Sequence, residues 1–177
     1  MPPATGSEHA VEGSQEDALA VYLRGHVAGS HGAEAIARRL QERSPDPALR
    51  AFLATFVEDV VHERELVEEL LAEVEGSGGL LRRGASAVAD AATRLGGALT
   101  QEVSPGAAAD LEALAIGVWG KRLLWGALAM LAEVDDRLAR LPFPSLAERA
   151  TDHERQILAF RRELLVPTLL PGRAPSP

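Results

Sequence analysis

Apolar residues recur every three to four positions over most of this chain, and the most regular stretch runs from Ala48 to Glu75. At about 100° per residue, Leu49, Leu53, Phe56, Val60, Val67, Leu70 and Val74 share one side of a helix, and one acid, Glu63, falls among them. A carboxylate at that position points inward and needs a partner, a metal or a proton, because burying it alone costs several kcal/mol. Upstream, Leu19, Tyr22, Leu23, His26, Ala33, Ala37 and Leu40 form the inward stripe of a first helix, predicted from about Gln15 to Arg43. Ser14 with Asp17 resembles a capping box at its start. Gly25, Gly29 and Gly32 weaken this helix by roughly 1 kcal/mol each relative to Ala, a cost best tolerated where another backbone packs close. Ser44-Pro45-Asp46-Pro47 is a stop and restart signal, with Asp46 as cap and Pro47 in the first turn. So short a connection makes the first two helices antiparallel neighbours.

The second helix ends at Gly76-Ser77-Gly78-Gly79. Leu80 to Leu99 is weakly amphipathic, with Leu81, Val88 and Leu95 seven apart, and predicts a short helix lying across the others. Ser104-Pro105 opens a third long helix, with Pro105 at its first position, running at least to Ala132. One of its faces carries Leu111, Leu114, Ala115, Val118, Trp125 and Ala129; a second carries Ile116, Trp119, Leu123 and Met130. Two apolar faces predict two packing partners, so the second face is a candidate interface with the crossing helix or another subunit. After Leu141-Pro142-Phe143-Pro144, Ser145 with Glu148 forms a capping box for a last helix from Leu146 to about Leu165. Its stripe is Leu146, Ala150, His153, Ile157, Phe160 and Leu164. The expected organisation is a disordered leader over 1–13, one helical-bundle domain over 14–166 and a Pro-rich flexible tail over 167–177. The expected fold is all-α: a four-helix bundle with a short extra crossing helix between helices two and three. A long link there lets those two run parallel, as in ferritin-like bundles.

Composition supports helix over sheet and narrows the partners. The 177 residues suffice for one core, aromatics are only 4%, and Ala and Leu dominate the apolar share. There is no cysteine, which removes disulfides, thiolate metal sites and cysteine nucleophiles. A net charge of −8 with scattered arginines argues against nucleic-acid binding. No secretory pattern and no uncharged apolar run of about 18 residues is found, so a cytoplasmic protein without membrane insertion is expected.

Some strings are similar to those of a known group. Tyr22-Leu23-Arg24-Gly25-His26-Val27-Ala28-Gly29-Ser30, the alanine-rich run to Arg38-Arg39-Leu40, and Leu111-Glu112-Ala113-Leu114 followed by Gly117-Val118-Trp119-Gly120-Lys121 and Trp125 resemble an uncharacterised ferritin-like helical-bundle family common in actinobacteria. The resemblance spans most of Gln15 to Leu165, implies a fold and carries over no catalytic residue. Trp119 stands where such sequences are expected to hold an acid.

Helix geometry then brings polar residues to one level. His26 and Glu63 lie at nearly equal distances from the turn near Pro45, and a parallel third helix puts Lys121, with Arg122 beside it, at the height of Glu63. His153 is inward within about a turn, so a buried layer of His26, Glu63, Lys121, Arg122 and His153 is expected. A ferritin-like di-iron site needs a Glu from each of two helices and a Glu-x-x-His from each of the other two. This chain lacks that set: Asp59 and His62 have the spacing, but His62 projects away from the stripe and the pair reads as a solvated face, while Ala150 occupies the carboxylate position before His153. A neighbouring Arg also competes for the carboxylate. Hydrogen-bonded core histidines and an ion-paired Glu63 are therefore preferred to ligation. The expected function is non-enzymatic, through protein contacts or homo-oligomerisation, with no cofactor and a degenerate di-metal site. The alternatives are a single Fe, Mn or Zn ion on His26, Glu63 and His153, a small apolar-ligand carrier with a cavity beside Trp125, and, as the enzyme option, a ferritin-like metal-dependent oxidation. Neither a P-loop, a G-x-S-x-G elbow nor a zincin motif occurs; Leu66 stands where the second zincin histidine would be.

Overall fold

The computed structural model describes residues 8–77 and 106–170, with side chains over 18–76 and 106–170 apart from 167 and 168. Its elements are four long helices: α1 Glu8–Arg43, α2 Pro47–Ser77, α3 Ala107–Leu131 and α4 Phe143–Leu169. The predicted crossing helix over Leu80–Leu99 lies outside the described residues.

The stripes predicted for α2 and α4 are the ones buried. Leu49, Leu53, Phe56, Val60, Val67, Leu70 and Val74 are sealed, as are Leu146, Ala150, His153 and Ile157. On α1, Leu23, Ala37 and Leu40 are buried, whereas Tyr22, expected inside, is partly exposed, its ring meeting His26 edge-on at 4.7 Å. The α1–α2 turn forms as its residues dictate: Asp46 Oδ1 accepts from the Ala48 N–H at 2.8 Å, and Pro47 opens the helix.

Helix boundaries depart from expectation where local signals competed. α1 begins at Glu8, ahead of the Ser14 box and inside the expected leader, because a single glycine and no proline stand between Glu8 and Asp17 to stop it. α3 begins at Ala107, two residues after Pro105; Gly106 precedes it at φ 112°, a backbone state open to glycine, and this residue sets the helix start. α3 closes at Leu131, and turns follow in which Leu138 is driven into the core. α4 begins at Phe143, three residues before the Ser145 box would place it, with Pro144 tolerated in the first turn and the Leu146 N–H reaching the Pro142 carbonyl. It also continues past Pro167 to Leu169, since a proline in the last turns deletes only one backbone donor.

Ion pairs between helices fix their directions. Arg24 meets Glu75 and Arg64 meets Glu34, so α1 and α2 are antiparallel. Arg39 near the end of α1 holds Asp110 in the first turn of α3 at 2.9 Å, and Arg140 just beyond α3 reaches Glu73 near the end of α2. α2 and α3 therefore run the same way, and α4 returns against α3, with Arg161 on Glu112 at 2.5 Å. α3 packs on α4 and α1, while α2 packs on α1 and meets α4 through Phe52, Phe56 and Asp59. By length and composition α3 alone among the described helices could cross a membrane, and only 28% of its most apolar stretch is buried.

Candidate functional site

The chain's one lysine ends on the most deeply buried acid among the described residues. Glu63 is 2% exposed, and Lys121 Nζ, from α3, lies 2.8 Å from its Oε2. The ammonium approaches off the hydrogen-bond direction, so the contact is one of charge, and neither oxygen of Glu63 receives a hydrogen bond. Arg149 Nη1, from α4, adds a second positive charge 3.8 Å from Oε1. Lys121 Nζ also stands 5.7 Å from the centre of the Phe56 ring and 3.4 Å from His153 Nδ1.

Hydrogen-bond logic assigns the histidine. An ammonium can only donate, so His153 Nδ1 accepts, Nε2 carries the proton, and that N–H donates to Asp59 Oδ2 at 3.0 Å. Arg149 closes the circuit on Asp59 Oδ1 at 3.2 Å. Burial, and then the Lys121 charge, hold His153 down to about 4 against the opposing pull of Asp59, which keeps the imidazole neutral. Two carboxylates face one ammonium and one guanidinium, so the layer cancels its own charge. Phe56 and Phe52 pack against the imidazole and separate the layer from the end of the bundle near the α1–α2 turn.

Glu63, Lys121 and His153 are thus brought together as expected, and His26 and Arg122 are not. His26 is half-buried on α1, its ring against Tyr22, and burial lowers its pKa as well. Level Cα atoms were not enough: side chains lean toward the N-terminus of their own helix, so in an antiparallel pair His26 leans away from Glu63. The observed α1–α2 ion pairs, Arg24–Glu75 and Glu34–Arg64, accordingly join residues roughly two and a half turns farther apart in sequence than level matching gives. Arg122, one residue and about 100° from Lys121, faces outward and pairs with Glu154 at 2.9 Å.

Asp59 and Arg149 are the members that sequence reasoning missed. Each lies four residues before an inward group, Glu63 and His153, and so one turn along the same face. Asp59 is therefore not part of a solvated face with His62, although His62 itself is exposed.

Among the described residues no group of three or more His, Asp or Glu side chains converges where an ion could be held. Asp59 meets His153 and Arg149, whereas Glu63 is met by Lys121 and Arg149. Neither nitrogen of His153 is left for a reactant, and two surface grooves among the described residues are lined by other side chains. One groove, of about 460 Å³, lies over Arg38, Glu58, His62 and Glu65; the other, of about 340 Å³, lies between α3 and α4 beside Trp119 and Leu158.

The remaining site is on the outside. Ile116 is 63% exposed, Trp119 50%, Leu123 49% and Met130 72%, so the second apolar face of α3 is uncovered by the other described helices. Leu158 of α4 extends it. Two ion pairs edge it, Glu112 with Arg161 and Arg122 with Glu154. No family model, curated protein or solved structure matches this chain.

Proposed function

We propose that this chain is a non-enzymatic helical bundle, ferritin-like in its helix order, that works by binding other protein surfaces through the outer face of α3. The observation that carries the reading is the uncovered stripe of Ile116, Trp119, Leu123 and Met130. An apolar patch edged by charged pairs has the layout of a protein interface, with a dry centre and a wet rim. An aromatic anchor such as Trp119 is the residue type that carries binding energy at such a centre. The shared direction of α2 and α3 supports the ferritin-like order.

The inner layer has a different part. Lys121 holds the place beside Glu63 that a metal ion would need, and the layer's charges are already balanced. Its role is to fix which helices face each other and at what height, a recognised use of buried ionic groups. Single-ion binding on His26, Glu63 and His153, metal-dependent oxidation and ligand carriage all draw less support, because these donors do not converge among the described residues.

The test is a photoactivatable phenylalanine placed in cells at position 119 and, as control, at Glu69 on the exposed side of α2. Covalent adducts to protein at 119 and none at 69 are expected. The absence of any protein adduct at 119 rejects this function.

A further inference from the structure

We infer that the partner on this face is a second copy of the same chain, paired antiparallel through α3 about a twofold axis; this rests on the function proposed above. The spacing on α3 is the first ground. Ile116, Trp119, Leu123, Gly126 and Met130 alternate steps of three and four, the repeat of a helix-pair seam. The same alternation, Leu111, Leu114, Val118, Lys121 and Trp125, already forms the inner seam, about 140° around the helix. α3 is thus built with two seams, and only one is covered by the described residues.

Glycine is the second ground. Gly117, Gly120 and Gly126 sit within α3, where each costs roughly 1 kcal/mol relative to Ala. Among the described residues a side chain added at any of them would meet nothing within 4 Å, so packing among the described helices does not require them. Gly126 lies in the outer seam and Gly120 on its flank, where they leave room for a backbone from outside, and Ala127 and Ala129 on either side keep that approach open.

The order of large and small residues selects both the copy and its direction. In a parallel pair, Trp119 would face Trp119 and Gly126 would face Gly126, a bulge beside a hole. Antiparallel pairing seats Trp119 against Leu123 of the second copy instead of against a second Trp119, and fills the space at its Gly126 with Ile116. A twofold pair repeats every contact, so one self-complementary stripe serves both sides. Covering Ile116, Trp119, Leu123, Met130 and Leu158 removes on the order of 500 Å² from each copy, about 1,000 Å² in all, the lower bound of a specific interface. Charge at the contact agrees: the rim arginines and acids are already paired, so the seam brings no unpaired like charges together.

Sedimentation equilibrium of the full chain is expected to give twice the chain mass. Gly126→Leu is expected to give the single-chain mass with an unchanged or higher melting temperature, since it fills open space in one copy and the seat of Ile116 in the pair. Gly126→Ala is expected to weaken association by about tenfold. The chain has no cysteine of its own, so W119C and L123C proteins report direction: disulfide dimers form when the two are mixed and not with either alone. A single-chain mass at all concentrations, a Gly126→Leu protein that remains paired, or disulfide dimers from W119C alone each overturn the inference. If the protein is monomeric and position 119 cross-links to a different protein, the function stands and the self-pairing fails. Flotation of monomeric protein with neutral phosphatidylcholine vesicles rejects both.

Discussion

Trp125 and Trp119 lie on the same helix, six residues apart, in opposite circumstances. Trp125 is 1% exposed and packs beside Phe143, whereas Trp119 stands half in solvent. Lys121 and Arg122 repeat the contrast in charge: one is drawn onto a buried carboxylate, the other holds Glu154 at the rim. α3 thus shows the same spacing on both sides and two different outcomes. Periodicity specifies a face, and the fold decides whether anything covers it.

The inner side is where substitutions should cost most. Lys121→Ala leaves Glu63 buried with only Arg149 at 3.8 Å, and a loss of about 3–5 kcal/mol is expected in urea denaturation. Replacing both members at once, Glu63→Leu with Lys121→Met, should restore most of that stability, since an apolar pair of similar volume needs no compensation. If the double variant is as unstable as the single one, the layer is not a self-contained ion pair.

The two tryptophans give the direct comparison. Trp125→Ala should cost about 3–5 kcal/mol by opening a core cavity. Trp119→Ala should change the folding stability of the isolated chain by no more than about 0.5 kcal/mol while weakening its association. Similar losses in monomer stability at both positions would show that the outer seam is covered within the chain.

Acidity should probe the inner layer and spare the outer seam. The folded-state pKa of His153, about 4, lies below its unfolded value of about 6.5. Between these values the unfolded chain gains a proton that the folded chain refuses, so the contribution is complete above about 6.5 and is lost as pH falls toward 4. A decline of about 2–3 kcal/mol over that window is expected from denaturant curves. His153→Gln should flatten the slope, and an unchanged slope would place the proton uptake elsewhere.

The smallest change is expected at Gly117→Ala. An added methyl group meets nothing within 4 Å, and helix propensity should raise stability by about 0.5–1 kcal/mol in a thermal melt.

Much of this was legible in the sequence because burial on one face leaves a pattern. The α2 stripe and its single acid could be read residue by residue, and mapping α2 onto a parallel α3 placed Lys121 at the level of Glu63. What escaped was direction at the scale of one side chain. Arg122 differs from Lys121 by one step around the helix, and His26 shared a level with Glu63 but not a lean. Asp59 read as a surface charge and Arg149 gave no signal, because long or flexible polar groups can reach inward from the edge of a face. Helix ends were least legible, since Gly106 and the Pro142–Pro144 segment override the serine signals near them.

The parallel course of α2 and α3 has a mechanical corollary. Ser77 and Ala107 sit at opposite ends of the molecule, so the architecture is two hairpins, α1 with α2 and α3 with α4, that meet through side chains and are covalently joined only by the chain over 78–105. A protease cut within 78–105 should therefore yield two fragments that co-purify, held by Asp59, Glu63, Lys121 and His153 as by a clasp.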